Sequence, residues 1–158
     1  MPRLVILSLV ALLAACSSGR GGNTGPTVQD VSITTPGISG SFETDLNALR
    51  ATRAAGPVRP NAVLAAVATA HAEDMVARGY FSHNSPDGGT MTTRIRAARY
   101  IACAAAENIA FGQSTEAQVF TGWVNSPGHF ANMVNPRYTE YGLGRAGNHW
   151  VLVLAKPC

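Results

Sequence analysis

The stretch "NSPGHFANMVNP", residues 125–136, decides how this chain is read. Ser126 suits a helix N-cap, and Pro127 suits the first helical position, where a missing N–H costs nothing. His129 then falls on the first turn, beside unsatisfied N–H groups whose partial positive charge disfavours an imidazolium. A neutral imidazole accepts a proton, ligates a metal or hydrogen-bonds a partner. The chain has only four histidines in 158 residues, so the remaining sequence must say which of these roles applies.

Working outward, the segment after this helix changes character. "EYGLGR" and "HWVLVLA" are strand-like runs separated by "AGN", a turn signal. The last run is apolar on both faces, as a central strand requires. Before it, "SFETDLNALRATRAA" places Phe42, Leu46 and Leu49 on one helical face, with Arg50 and Arg53 off it. A second helix is expected over "PNAVLAAVATAHAEDMVARGY", opening at Pro60 or Asn61 and closing at Gly79, with Val63, Val67, His71 and Met75 as its stripe. "HNSPDGG" is turn chemistry, and "TMTTRIRAARY" reads as a third helix with Met91, Ile95 and Ala98 on one side. "AENIAFG" is a short strand or an irregular passage. Thr115 with Gln118 resembles a capping box before a helix that carries Val119, Phe120 and Trp123. Several helices with a small, largely antiparallel sheet at the end indicate an α+β or layered α-β-α domain.

The N-terminal part belongs to a different regime. "MPRLVILSLVALLAAC" joins one positive residue, Arg3, to an apolar run too short to span a bilayer, as in a secretory signal. "LAAC", ending at Cys16, resembles the lipobox of bacterial lipoprotein signals, in which that cysteine becomes the lipidated first residue. Residues 1–15 are therefore expected to be a signal peptide. Residues 16–40, rich in Gly, Ser, Thr and Pro, are expected to be a lipidated cysteine and flexible tether, and residues 41–158 one folded domain. Ser17 gives no obvious inner-membrane retention signal by analogy with enteric lipoproteins. The expected location is the bacterial envelope, on an outer membrane facing the periplasm. Cys16 apart, Cys103 and Cys158 remain, and an exported pair is most simply a disulfide. A net charge of +3 with a single lysine and scattered arginines does not fit a nucleic-acid binder. A monomer is expected, with the membrane as its partner through the N-terminal lipid.

No HExxH, GxSxG or P-loop signature occurs, and no GxGxxG follows a strand as a dinucleotide-binding turn requires. Four other segments stand out in order: "NALR" (47–50), "FSHNSPDG" (81–88), "AENIA" (106–110) and "WVNSPGH" (123–129). Together they resemble the bacterial branch of the CAP superfamily, the SCP domain of cysteine-rich secretory proteins, insect antigen 5 and plant pathogenesis-related 1 proteins. The resemblance covers nearly all of residues 41–158. It implies a three-layer α-β-α sandwich with a small, mainly antiparallel central sheet and a central cleft. In many members two histidines and two glutamates line that cleft, and in some they hold a divalent cation.

Residue by residue, His83, Glu107 and His129 match three of those four positions. The fourth acid falls near Ser126 or Pro127, neither of which is acidic, and Ala106 replaces the usual glycine. Glu140 is the one nearby acid that would have to substitute. The expectation is a polar cleft of His83, Glu107 and His129, with His83 and His129 as weak ligands for zinc or another divalent cation, losing it below about pH 6. The resemblance also implies three functional readings. The first is a non-catalytic envelope module whose cleft binds a small or lipidic ligand. The second is a protease-like hydrolase with His129 as base and Glu107 as orienter, although no serine or cysteine is marked as a nucleophile and Ser126 is accounted for as an N-cap. The third is a structural lipoprotein with a vestigial cleft. His71 is expected to be a satisfied core histidine, Asn47, Arg50 and Trp123 to be structural, and His149 to have no special role.

Overall fold

The computed structural model describes residues 41–158. The signal-like segment, Cys16 and the tether therefore lie outside the described residues. Helix α1 (Phe42–Ala51) buries Phe42, Leu46 and Leu49 as its spacing requires. Arg50, expected off that face, is instead wholly buried, while Arg53 is exposed. The physical reason is a set of backbone carbonyls awaiting it. Nε donates to Gly56 O (2.8 Å), Nη1 to Met133 O (2.7 Å) and Asn135 O (3.1 Å), and Nη2 to Tyr138 O (2.9 Å). Asn47 closes a reciprocal pair with the Val58 backbone.

Strand β1 (Arg59–Pro60) is two residues long and was not expected; a proline fits there because the strand lies at the sheet's edge. Helix α2 (Ala62–Arg78) starts at Asn61, whose side chain accepts from the Val63 and Leu64 amides, and stops at Gly79 in the left-handed conformation. Its buried stripe runs through Leu64, Val67, Ala68, His71, Ala72 and Met75, and Val63, expected on the stripe, is exposed. Helix α3 (Met91–Ala97) opens with a capping box between Thr90 and Thr93.

Strand β2 (Ala102–Phe111) is longer than "AENIAFG" suggested. Its alanines favour helix, but ten residues extend to pair antiparallel with the C-terminal strand. Helices α4 (Glu116–Val124) and α5 (Pro127–Met133) follow, α4 capped by the Thr115 hydroxyl on Gln118 N. Ser126 holds the N-cap position of α5 in extended conformation, but its side chain makes no capping bond. Strands β3 (Glu140–Ala146) and β4 (His149–Pro157) form the terminal hairpin.

The sheet order is β1-β3-β4-β2, with only the short β1–β3 pair parallel. Strand β4 is central, and its alternation builds both cores. Trp150, Leu152 and Leu154 meet Phe42, Leu46, Phe120, Trp123 and Met133 from α1, α4 and α5. Val151, Val153 and Ala155 meet Leu64, Ala68, Met75 and Ile95 from α2 and α3. The result is the expected α-β-α sandwich. Helix α2 seats directly on β3 because Gly142 and Gly144 have no side chains; a Cβ at either would overlap the helix backbone at Leu64–Ala65 or Ala68–Thr69. Cys103 and Cys158 form a disulfide with Cα atoms 4.8 Å apart. Among the described residues no helix is long and apolar enough to cross a membrane.

Candidate functional site

Strand β2 is an edge strand, and its alternation splits two neighbouring polar residues between the layers. Glu107 shares a face with Ile109, on the α2/α3 side, while Asn108 points to the α4/α5 side. Both are buried. Asn108 Nδ2 donates to His129 O (3.1 Å), and Asn132 Nδ2 donates to Asn108 Oδ1 (2.9 Å). Asn108 thus grips the first turn of α5 from the sheet, while Arg50 grips the carbonyls at and beyond the helix's C-terminal end. These two residues fix where His129 sits. Sequence reading missed Asn108, although it lies beside Glu107 in the AENIA segment.

Glu107 is the hub of the other half. His83 Nδ1 lies 2.8 Å from Glu107 Oε1, and Arg94 Nη2 donates to Glu107 Oε2 (2.8 Å). A carboxylate accepts, so His83 donates to it through Nδ1, and Nε2 has no hydrogen bond among the described residues. The His83 side chain is about half exposed (53%) against 3% for Glu107, so His83 faces the solvent side of the pair. Arg94 also donates through both Nη atoms to His83 O (3.1 Å each). One guanidinium therefore holds the loop and its carboxylate together. Arg94 was missed in the sequence, since it and Arg96 on a short helix look like solvated arginines.

Behind this pair the polar network continues. His71 is buried as expected, its Nε2 3.0 Å from Ser82 O and 4.0 Å from Glu107 Oε1, its Nδ1 3.4 Å from the Tyr80 hydroxyl. Tyr80 donates a short hydrogen bond to Asp74 and lies 3.2 Å from Ser85 Oγ. That bond holds the Asp74 carboxyl below its ordinary range, and burial pushes the Tyr80 phenol up. Arg78 ties Asp87 to the end of α2 at 3.2 Å. The segment carrying His83 is thus pinned at several points, which is what pre-organises a site.

His129 has no hydrogen bond to its ring among the described residues. Partial burial first, and the neighbouring His83 second, lower its pKa. The direction is the one read from the helix start, with burial as its largest cause. Burial, followed by the Arg94 charge, lowers the pKa of His71 as well. Glu107, paired in the sequence reading with His129, bonds His83 instead.

The residues present do not fit a resident metal ion. Both Glu107 oxygens are engaged, one of them by a guanidinium that already balances the charge. Glu140 is remote in its bonding, accepting from Asn61 Nδ2 (2.9 Å) and the Tyr100 hydroxyl (2.8 Å). Among the described residues no group of three or more His, Cys, Asp or Glu is arranged to hold a cation.

Comparison with known proteins agrees with this architecture. Residues 44–153 match the family model described as CAP, the cysteine-rich secretory protein family. An uncharacterized protein of Bacillus subtilis, YkwD, is 35% identical over 106 residues, covering 66% of this chain and 41% of that protein. The chain thus spans less than half the length of that curated relative. A crystal structure of an extracellular protein containing an SCP domain from Bacillus anthracis superposes with a TM-score of 0.70 at 30% identity, over 73% of this chain and 39% of the other. An outer surface protein from Borrelia burgdorferi shares the fold at a TM-score of 0.67 and 20% identity, over 74% of this chain and 90% of that one. With the family's segments in order and its three-layer fold in place, the chain belongs to the CAP family of cysteine-rich secretory proteins.

Proposed function

We propose that this chain is an exported envelope protein whose CAP domain binds a small ligand in the cleft formed by His83, Glu107 and His129. One observation carries the reading. Glu107 fixes the half-exposed ring of His83, near a second imidazole, His129, whose pKa burial lowers and whose ring has no hydrogen-bond partner among the described residues. Two imidazole rings suit a ligand that offers hydroxyl or amide donors. The extracellular relative from Bacillus anthracis supports an envelope setting. In this reading Cys16 carries lipid, residues 17–40 tether the domain, and the location is an outer membrane facing the periplasm.

Native mass spectrometry of the full chain, purified without chelator, tests the cleft. The expected result is a co-purifying small molecule that is absent from His83→Ala/His129→Ala. Its retention by that variant would remove the histidines from the site. Fractionation of Cys16→Ser tests the anchor, and unchanged membrane association would reject it.

A hydrolytic reading is favoured by one feature, the carboxylate-oriented imidazole. It reassigns the base from His129 to His83, whose Nε2 would take a proton from water while Glu107 holds the ring. No serine or cysteine is placed as a nucleophile by any contact in the site. Hydrolysis of casein or acyl esters that disappears in Glu107→Gln would support this second reading over binding alone.

A further inference from the structure

Two phenylalanines that no core absorbs stand at one end of the sheet. Phe111, the last residue of β2, is 58% exposed, and Phe81, two residues before His83, is 51% exposed. Their ring centroids lie 6.2 Å apart, and both meet the imidazole of His149, at 4.6 Å from Phe111 and 6.2 Å from Phe81. Burying them would have stabilised the domain. Two exposed phenylalanines clustered on a third ring need an explanation that isolated surface apolars do not.

Their position supplies one. Phe111 shares a sheet face with Glu107 and Ile109, and four strand positions separate it from Glu107, roughly 13 Å at strand rise. The segment 81–83 runs alongside, placing Phe81 at the aromatic end and His83 at the carboxylate end. The surface therefore joins a platform of aromatic faces to the His83 imidazole over the length of a short oligomer rather than of a single small ring. Asn148, in the exposed turn beside His149, adds an amide at the aromatic end. Flat rings for stacking, with a few oriented acceptors and donors beside them, suit a pyranose chain, which presents C–H faces to aromatics and hydroxyls to imidazoles.

We infer that Phe81, Phe111 and His149 form a stacking platform for a glycan whose hydroxyls reach His83 and His129. The inference rests on the cleft reading above and names its ligand class. Hydroxyl-rich saccharide is favoured over a lipid surface because the aromatic end continues into polar acceptors rather than into further apolar surface.

The test is calorimetric titration of the full chain with tetra-N-acetylchitotetraose, with phosphatidylglycerol vesicles as a parallel arm. Circular dichroism confirms that each variant is folded, which exposed positions should allow. Phe81→Ala and Phe111→Ala should each weaken saccharide binding roughly two- to tenfold, and the double variant should weaken it by more than tenfold. Loss in the phenylalanine variants with binding kept by His83→Ala/His129→Ala would retain the platform and remove the cleft reading. The reverse pattern would retain the cleft and overturn the platform. Absence of saccharide binding by the wild-type chain, or vesicle binding in its place, would also overturn it.

Discussion

Replacing Arg50 by methionine tests whether a buried guanidinium organises the side of the site that carries His129. Its bonds to Met133 O and Tyr138 O are buried, and those to Gly56 O and Asn135 O are partly so. Methionine fills similar space but donates nothing. Two carbonyls are then stranded in the interior, at about 1–3 kcal/mol each. The two outer carbonyls can turn to water. Against this, the chain no longer desolvates a guanidinium, the same burial that pushes the pKa of Arg50 down. A net loss of about 3 kcal/mol follows, a large share of the roughly 5–15 kcal/mol that holds a domain together. With a urea slope of about 2 kcal/mol/M, the unfolding midpoint should fall by about 1.5 M at unchanged slope. Arg50→Lys, with one compact ammonium for carbonyls on separate segments, should fall between the two. In the folded methionine variant the His129 ring resonances should shift more than those of His83. A stability change below about 1 kcal/mol, or a His129 signal that does not move, would refute the claim that Arg50 anchors α5.

Other outcomes follow from the same structure. Gly144→Ala drives a Cβ into the α2 backbone at Ala68 and Thr69, and thermal melts should show a loss of about 3 kcal/mol or no folded protein. Cys103→Ala/Cys158→Ala opens a loop of sequence separation 55, and chain-entropy reasoning puts the loss near about 4 kcal/mol, measurable by urea unfolding. His71 and His129 both have lowered pKa values when folded. The unfolded chain takes up those protons first, so stability is full above the ordinary histidine value of about 6.5 and falls as pH drops through it toward the folded values. Urea midpoints on either side of that value, at about pH 7.5 and about pH 5, should show the drop, and His129→Gln should reduce it. Zinc titration should show no tight binding to the wild-type chain, while Arg94→Leu, which frees a Glu107 oxygen, should bind zinc more strongly. Tight zinc binding by the wild-type chain that is lost in His83→Ala/His129→Ala would contradict the assignment of that oxygen to Arg94.

How far the site was legible depended on the distance over which each interaction acts. Local signals were readable: Asn61 and Thr115 as caps, Gly79 as a stop, and the turn between the last two strands. The four ordered segments brought out His83, Glu107 and His129, and the structure joins His83 to Glu107 and sets His129 close enough to feel the His83 charge. The partners of the polar residues that hold them were not readable in the same way. Arg50 reads as structural but off the buried face, and three of its acceptors lie 83, 85 and 88 residues further along the chain. Arg94 finds Glu107 only through the fold, 13 residues away. Strand β2 was under-read for the opposite reason: its alanines speak locally for helix, and only β4 makes them a strand.

The departure from the family pattern at Ser126 and Pro127 then has a physical meaning. Here one carboxylate is absent, and the other spends an oxygen on Arg94. The charge a metal would have supplied is already present as a side chain, fixed at 2.8 Å and also holding the His83 carbonyl. Arg94 therefore holds the His83 backbone, and Glu107 holds its ring through Nδ1. In the proposed reading a ligand would meet two imidazole rings, one oriented by Glu107 and the other without a hydrogen bond to its ring among the described residues.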